Sequence, residues 1–153
     1  MPRSESTRSD QGLDVQINTG DFDRVPEALM ERAVRHVFAD SGAAVGEASI
    51  TLLSDADIRA LNREYLSKDD PTDVLAFSLG GAERVIGDVY IGFEQAVRQS
   101  TEWGVSLDEE LTRLAIHGAL HVLGHDHPLG EERMSSPMFG LQERLVREVL
   151  EDC

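Results

Sequence analysis

His117, His121 and His127 recur along the chain as H-x3-H-x5-H, with Gly124 between the second and the third. Residues four apart share one helical face about one turn apart, so two imidazoles at that spacing can reach a single ion. Gly124 tolerates the left-handed conformation that ends a helix, which lets the chain double back and deliver His127 from the side. Apart from the two histidines, the stretch from Leu114 to Leu123 holds only apolar residues and glycine, so its helix is expected to be buried nearly all round. Buried imidazoles need partners. Alone, a pair at i and i+4 reads more readily as two satisfied core histidines; Gly124 and His127 tip the balance to metal ligation. Neutral imidazole nitrogens select a borderline divalent transition metal, with one zinc ion per chain expected and nickel or copper compatible. Three side-chain ligands leave a fourth position for water, as in catalytic sites, where the ion brings that water's pKa toward about 7 or polarises a phosphoryl or carbonyl oxygen. His125 reads as an exposed turn residue and His36 as a surface or packing histidine.

The spacing H-x3-H-x2-G-x2-H is also that of metzincin peptidases, in which a glutamate follows the first histidine as general base and a methionine turn lies downstream. Here Gly118 stands in the glutamate's place. Met134 or Met138 could supply the methionine, although a methionine near a helix is more often packing, and the motif offers no replacement base. A zinc metallopeptidase-like hydrolase therefore stays as an alternative.

Several elements must position this motif. Leu13, Val15 and Ile17 alternate with polar residues as in a half-buried strand. After Pro26, apolar residues from Leu29 to Phe38 mark one helical face, closed by Ser41-Gly42. Ala48 to Leu53 reads as a strand, followed by a helix capped at Ser54-Asp55 that carries Ile58, Leu61 and Tyr65 in a segment ending at Pro71. Asp73 to Ser78 and Val85 to Ile91 complete four strand candidates. Helices are expected over Phe93–Trp103, from Ser106 through Leu123 with capping-box spacing to Glu109, and over Glu131–Glu151 with a break near Pro137. No repeat and no linker divides the chain. An α+β domain follows, a small mixed sheet of about four strands under about five helices, over residues 13–153 with residues 1–12 as a disordered tail. Strand order is left open.

The chain has 153 residues, 41% of them hydrophobic and 28% charged, the balance of an ordinary globular domain. Fourteen Lys and Arg against 29 Asp and Glu give a formal charge of −15, which excludes broad phosphate binding by a basic surface; any nucleic-acid contact must be local. The single cysteine, Cys153, can build neither an internal disulfide nor a cysteine zinc site, and no segment has the length of a membrane span. A cytoplasmic protein with no membrane partner is the expectation.

The run HGALHVLGHDH resembles the HGxLHLxGYDH signature of the YbeY endoribonucleases, bacterial ribosomal-RNA maturation factors. Leu61 to Ser78 (LNREYLSKDDPTDVLAFS) resembles the family's LNxxYRxKDxPTDVLSF block, and Ile86-Gly87-Asp88-Val89-Tyr90-Ile91 its LGDIxI strand. The resemblance implies a zinc-dependent, single-strand-specific endoribonuclease that matures the 3′ end of small-subunit rRNA and supports ribosome quality control. It implies single-stranded RNA as substrate, with the ribosomal small subunit and assembly factors as possible partners. His117, His121 and His127 become the metal ligands by this motif. The family often has an arginine after the tyrosine where this chain has Leu66; Arg63, three residues earlier, can present a guanidinium to a similar region, or be a solvated helix arginine. Lys68 is a second candidate phosphate contact, with a flexible surface lysine as its plain reading. Asp73, Asp88 and Asp126 are candidates for the carboxylate behind a ligating imidazole, each with a local capping or turn role as the alternative. A nonenzymatic ribosome-assembly module with a structural metal is the third functional reading, and whether water or the ribose hydroxyl attacks is open.

Overall fold

The computed structural model of the chain describes residues 12–43, 45–80, 84–126 and 136–151. Side-chain alternation makes β1 (Leu13–Asn18), β2 (Gly46–Leu53), β3 (Val74–Ser78) and β4 (Val85–Gly92) two-faced strands. They form one sheet in the order β1-β2-β4-β3, with β1, β2 and β4 parallel and β3 antiparallel to β4 at the edge. The helices are α1 (Glu27–Ser41), α2 (Asp55–Leu66), α3 (Phe93–Trp103), α4 (Leu107–Val122) and α5 (Pro137–Glu151). The mixed α+β architecture agrees with the pattern of the sequence.

Local chemistry sets the helix ends. The hydroxyls of Ser54, Ser106 and Ser136 accept hydrogen bonds from the amides of Asp57 (3.2 Å), Glu109 (3.0 Å) and Phe139 (3.2 Å), satisfying donors that the first turn leaves orphaned. Pro137 occupies the first helical position of α5, where its missing N–H costs nothing. Of the helix expected over Glu131–Glu151, residues 131–135 lie outside the described residues, as does most of the expected tail. The α2 helix stops at Leu66, well before Pro71, because Ser67 adopts a left-handed conformation with φ 58°. The Asn62 side chain then donates to the Asp70 carbonyl at 2.9 Å and ties down the loop.

Ala48, Ile50 and Leu52 of β2 face the same side as Val89 and Ile91 of β4, and α1, α4 and α5 cover that side. Leu111, Ile116 and Leu120 of α4 and Met30, Val34 and Phe38 of α1 are fully buried in this core. Each contributes roughly 1.5–3 kcal/mol relative to exposure. Gly87 and Gly118 allow α4 to approach closely: a Cβ at Gly87 would overlap the Val122 side chain, and one at Gly118 would overlap Val89. On the opposite face, Ile58 of α2 and Leu75 are buried apart from the main core, while Tyr65 meets Phe77 edge-on with ring centroids 5.5 Å apart. Among the described residues no helix is long and apolar enough to cross a membrane.

Candidate active site

The α4 helix carries both helical histidines. Every residue from Leu114 to Leu120 is buried, His117 being 7% exposed, as the apolar run predicts. The Nε2 atoms of His117 and His121 face each other at 3.1 Å, their rings inclined by 74°. Behind His117, Nδ1 lies 2.5 Å from Oε1 of Gln142 on α5. Gln142 can present only its oxygen there, because its Nε2 donates to Glu143 Oε2 at 3.0 Å. His117 Nδ1 therefore holds the proton and donates it to Gln142, which leaves the Nε2 lone pair directed at His121.

After Val122 the chain reverses as expected. Gly124 is left-handed with φ 99°, its amide donates to the His121 carbonyl at 2.9 Å, and the His125 amide donates to the Leu120 carbonyl at 3.0 Å, a Schellman closure. His125 and Asp126 are exposed beyond it. His127, the third expected ligand, lies outside the described residues.

Two nitrogens bound at about 2.0–2.1 Å to one tetrahedral zinc stand about 3.3 Å apart, close to the separation found here. The donor set and tautomer of the imidazole pair thus suit a divalent cation. Among the described residues no group of three or more His, Cys, Asp or Glu side chains gathers as a cage; His117 and His121 are the two expected donors that lie within the described residues.

A charged network backs the glutamine. The Arg113 guanidinium donates to Glu143 at 2.8 and 3.0 Å, to Glu109 at 3.0 Å and to Glu110 at 3.3 Å. Burial pushes the Glu110 carboxyl above its ordinary value, with Arg113 pulling only partly the other way. Burial acts on Glu143 in the same sense, but the hydrogen bonds from Arg113 and Gln142 outweigh it and hold that carboxyl below its ordinary value. Arg113 itself resists deprotonation, since the carboxylates overcome the effect of burial.

A cavity of about 280 Å³ opens between α3, α4 and α5 and reaches His117. Asp73, from the loop before β3, lines it and accepts a hydrogen bond from Gln99 Nε2 at 3.1 Å. Asp73 and His117 therefore line the same cavity. Asp88 does not: its residues alternate with Gly87 and Val89, which face α4, so it stands on the far side of the sheet and accepts from Ser49 Oγ at 2.7 Å. That removes Asp88 as the carboxylate behind an imidazole and leaves it as a sheet-surface group. Arg63 is exposed and donates to Asp69 at 3.3 Å, a carboxylate that Arg59 already grips with two bonds of 2.9 and 3.1 Å. Lys68 is exposed on the same loop. His36 pairs with Glu148 at 2.8 Å on the surface, and Met138 is buried in the core, whereas Met134 lies outside the described residues.

Sequence reasoning missed Gln142. The signal was present: it stands in the α5 stripe of Met138, Leu145, Val146 and Val149, where a polar side chain must find a buried partner. Arg113 was missed too, because a single arginine amid acidic helix residues reads as a solvated pair.

Fold and site together define a single-sheet α+β protein with an imidazole pair on a buried helix. The family model "Endoribonuclease YbeY" matches residues 8–150. An endoribonuclease YbeY of Bacillus licheniformis is 38% identical over 150 residues, covering 88% of this chain and 92% of that protein. One from Pelotomaculum thermopropionicum is 41% identical over 120 residues, covering 72% and 79%. One from Aquifex aeolicus is 47% identical over 89 residues, but that match spans only 56% of this chain and 59% of the relative. A solution structure from Thermotoga maritima superposes with a TM-score of 0.62 at 25% identity, covering 92% of this chain and 90% of that one. The chain belongs to the endoribonuclease YbeY family.

Proposed function

We propose that this chain is a zinc-dependent, single-strand-specific endoribonuclease that matures the 3′ end of small-subunit rRNA in the cytoplasm and takes part in ribosome quality control, with the small subunit and assembly factors as partners. Family membership supports the RNA substrate. The observation that carries the metal is the meeting of His117 Nε2 and His121 Nε2 at 3.1 Å, with the proton of His117 committed to Gln142 on the other side of the ring. His127 is the third proposed ligand. When bound, the cation supplies Lewis acidity toward a phosphodiester oxygen.

The chain's own groups do the rest. Gln142 holds the His117 proton at Nδ1 and fixes the ring, and the Arg113 network holds Gln142. Arg63 and Lys68, on the exposed end of α2 and the loop after it, are the proposed phosphate contacts. With a formal charge of −15, the remaining surface repels RNA and confines productive contact to the site.

The test is metal analysis of the purified protein combined with incubation against RNA and against casein. About one ion per chain is expected, with RNA cut and casein intact, and His117→Ala losing both metal and cleavage. Casein hydrolysis would favour the peptidase reading. Full RNA processing by a folded, metal-free His121→Ala protein would favour an assembly module. The ends of the products distinguish water from the ribose hydroxyl as nucleophile.

A further inference from the structure

The helix that carries the imidazole pair lies along one margin of the sheet. Among the described residues β3 closes the order β1-β2-β4-β3, with β4 on one side and no strand on the other. Close packing fixes where α4 crosses: Gly118 lies against Val89 and Val122 against Gly87, and the β3 partners of those two strand residues are Ala76 and Ser78. Asp73, the residue before β3, lines one cavity with His117, so the histidine lies on the β3 side of α4.

The ladder decides which backbone groups this margin offers. The Leu79 amide donates to the Ile86 carbonyl at 2.7 Å and the Gly92 amide to the Asp73 carbonyl at 2.8 Å, so Asp73, Leu75, Phe77 and Leu79 are the residues that bond to β4. In an antiparallel pair the residues between them turn both N–H and C=O the other way. Val74, Ala76 and Ser78 therefore direct theirs to the open edge, and among the described residues no hydrogen bond engages them there. Ser78 is exposed, and Val74 and Ala76 are half-buried. An unpaired edge is a template for another backbone. Its outward residues recur about every 6.8 Å, comparable to the repeat of a stretched single-stranded nucleotide chain.

Charge and chemistry select which backbone. The formal charge is −15, Lys68 is the sole lysine, and Arg63 is already engaged by Asp69, so a phosphodiester approaching this surface needs donors that carry no charge of their own. Edge amides are such donors. Each ribonucleotide brings a phosphate oxygen that accepts from an N–H and a 2′-hydroxyl that donates to a C=O. We propose that the β3 edge is the track along which single-stranded RNA enters the metal site: the amides of Val74, Ala76 and Ser78 donate to successive phosphates, and their carbonyls accept from 2′-hydroxyls. Deoxyribose lacks that donor, so the edge favours RNA over DNA. The inference rests on the chain acting on RNA, and it adds where the strand lies and how its sugar is read.

The experiment follows cleavage of a labelled single-stranded RNA by the metal-loaded full chain, with DNA of the same sequence as competitor. The Ki of the DNA is expected about tenfold above the KM of the RNA. Ala76→Pro removes one outward N–H, keeps the carbonyl and breaks no bond to β4, a change that edge strands accommodate. It is expected to raise KM and the DNA Ki alike about tenfold, preserving their ratio, with kcat and metal content held. Ser78→Pro, at the end of the strand, asks the same question if circular dichroism shows that Ala76→Pro does not fold. A KM unmoved by the folded proline variants, or DNA that competes as well as RNA binds, overturns the track and leaves the nuclease reading intact. Proline variants that keep their KM but lose binding of a lysine-rich extended peptide assign the edge to a protein partner and overturn the track as well. An unsubstituted, metal-loaded chain that cuts no RNA overturns both.

Discussion

Gly118 lies against Val89, so close that any Cβ at position 118 would overlap the valine side chain. The position that carries a general base in peptidases of similar histidine spacing therefore points into the sheet. Gly118→Ala is expected to destabilise the protein by about 1–3 kcal/mol through overpacking, read as a lower urea midpoint with an unchanged slope. Gly118→Glu should lose more stability and gain no casein hydrolysis.

Gln142 sets which nitrogen of His117 is bare. Gln142→Leu removes the acceptor from Nδ1, leaves a buried donor unsatisfied and frees the ring to turn. Metal affinity should fall about 10–100-fold in a competition titration with a chelating dye. Gln142→Glu keeps an acceptor at the same reach and should retain most of the affinity, which separates orientation from simple loss of packing.

Arg113 joins α4 to α5 through groups that are mostly shielded from water. Arg113→Met strands the buried Glu110 beside Glu143, and a loss of about 3 kcal/mol in chemical denaturation is expected.

The same network predicts two opposite pH dependences. Glu143 has a folded-state pKa below its ordinary 4.5, so its contribution is present above that value and is lost as the pH falls through the folded pKa. Glu110 has a folded-state pKa above 4.5, so its contribution is largest below that value and declines as the pH rises through the folded pKa. Stability curves between about pH 3 and about pH 7 should show the acid-side loss reduced in Glu143→Gln. In Glu110→Gln the decline on the neutral side should be reduced.

Arg63 shares Asp69 with Arg59, which holds that carboxylate through two bonds of its own. Arg63→Ala should leave stability within about 0.5 kcal/mol, while RNA cleavage falls because a phosphate contact is gone. Unchanged cleavage would return Arg63 to a solvated helix face.

What the sequence made legible follows from what periodicity can carry. The apolar run around His117 and His121 marked a buried helix, and Gly124 marked the reversal, because both signals are local. Asp88 could have been placed by the same rule, since Gly87, Val89 and Ile91 claim one face of β4 and leave it the other. The partnership of His117 with Gln142 was illegible because it joins two helices across 25 positions of the chain, and only packing brings them together. The parallel pairing of β2 with β4, which sends β3 to the edge, likewise depends on a tertiary choice that strand patterns leave undetermined.

Because α4 is enclosed by the sheet and by its neighbouring helices, the amides that flank His117 have no route to solvent through a small local fluctuation. Their hydrogen exchange should proceed only when the whole domain unfolds, far more slowly than at the exposed end of α2. The imidazole pair would then be as long-lived as the native state itself, while the exposed loop after α2 opens and closes on its own.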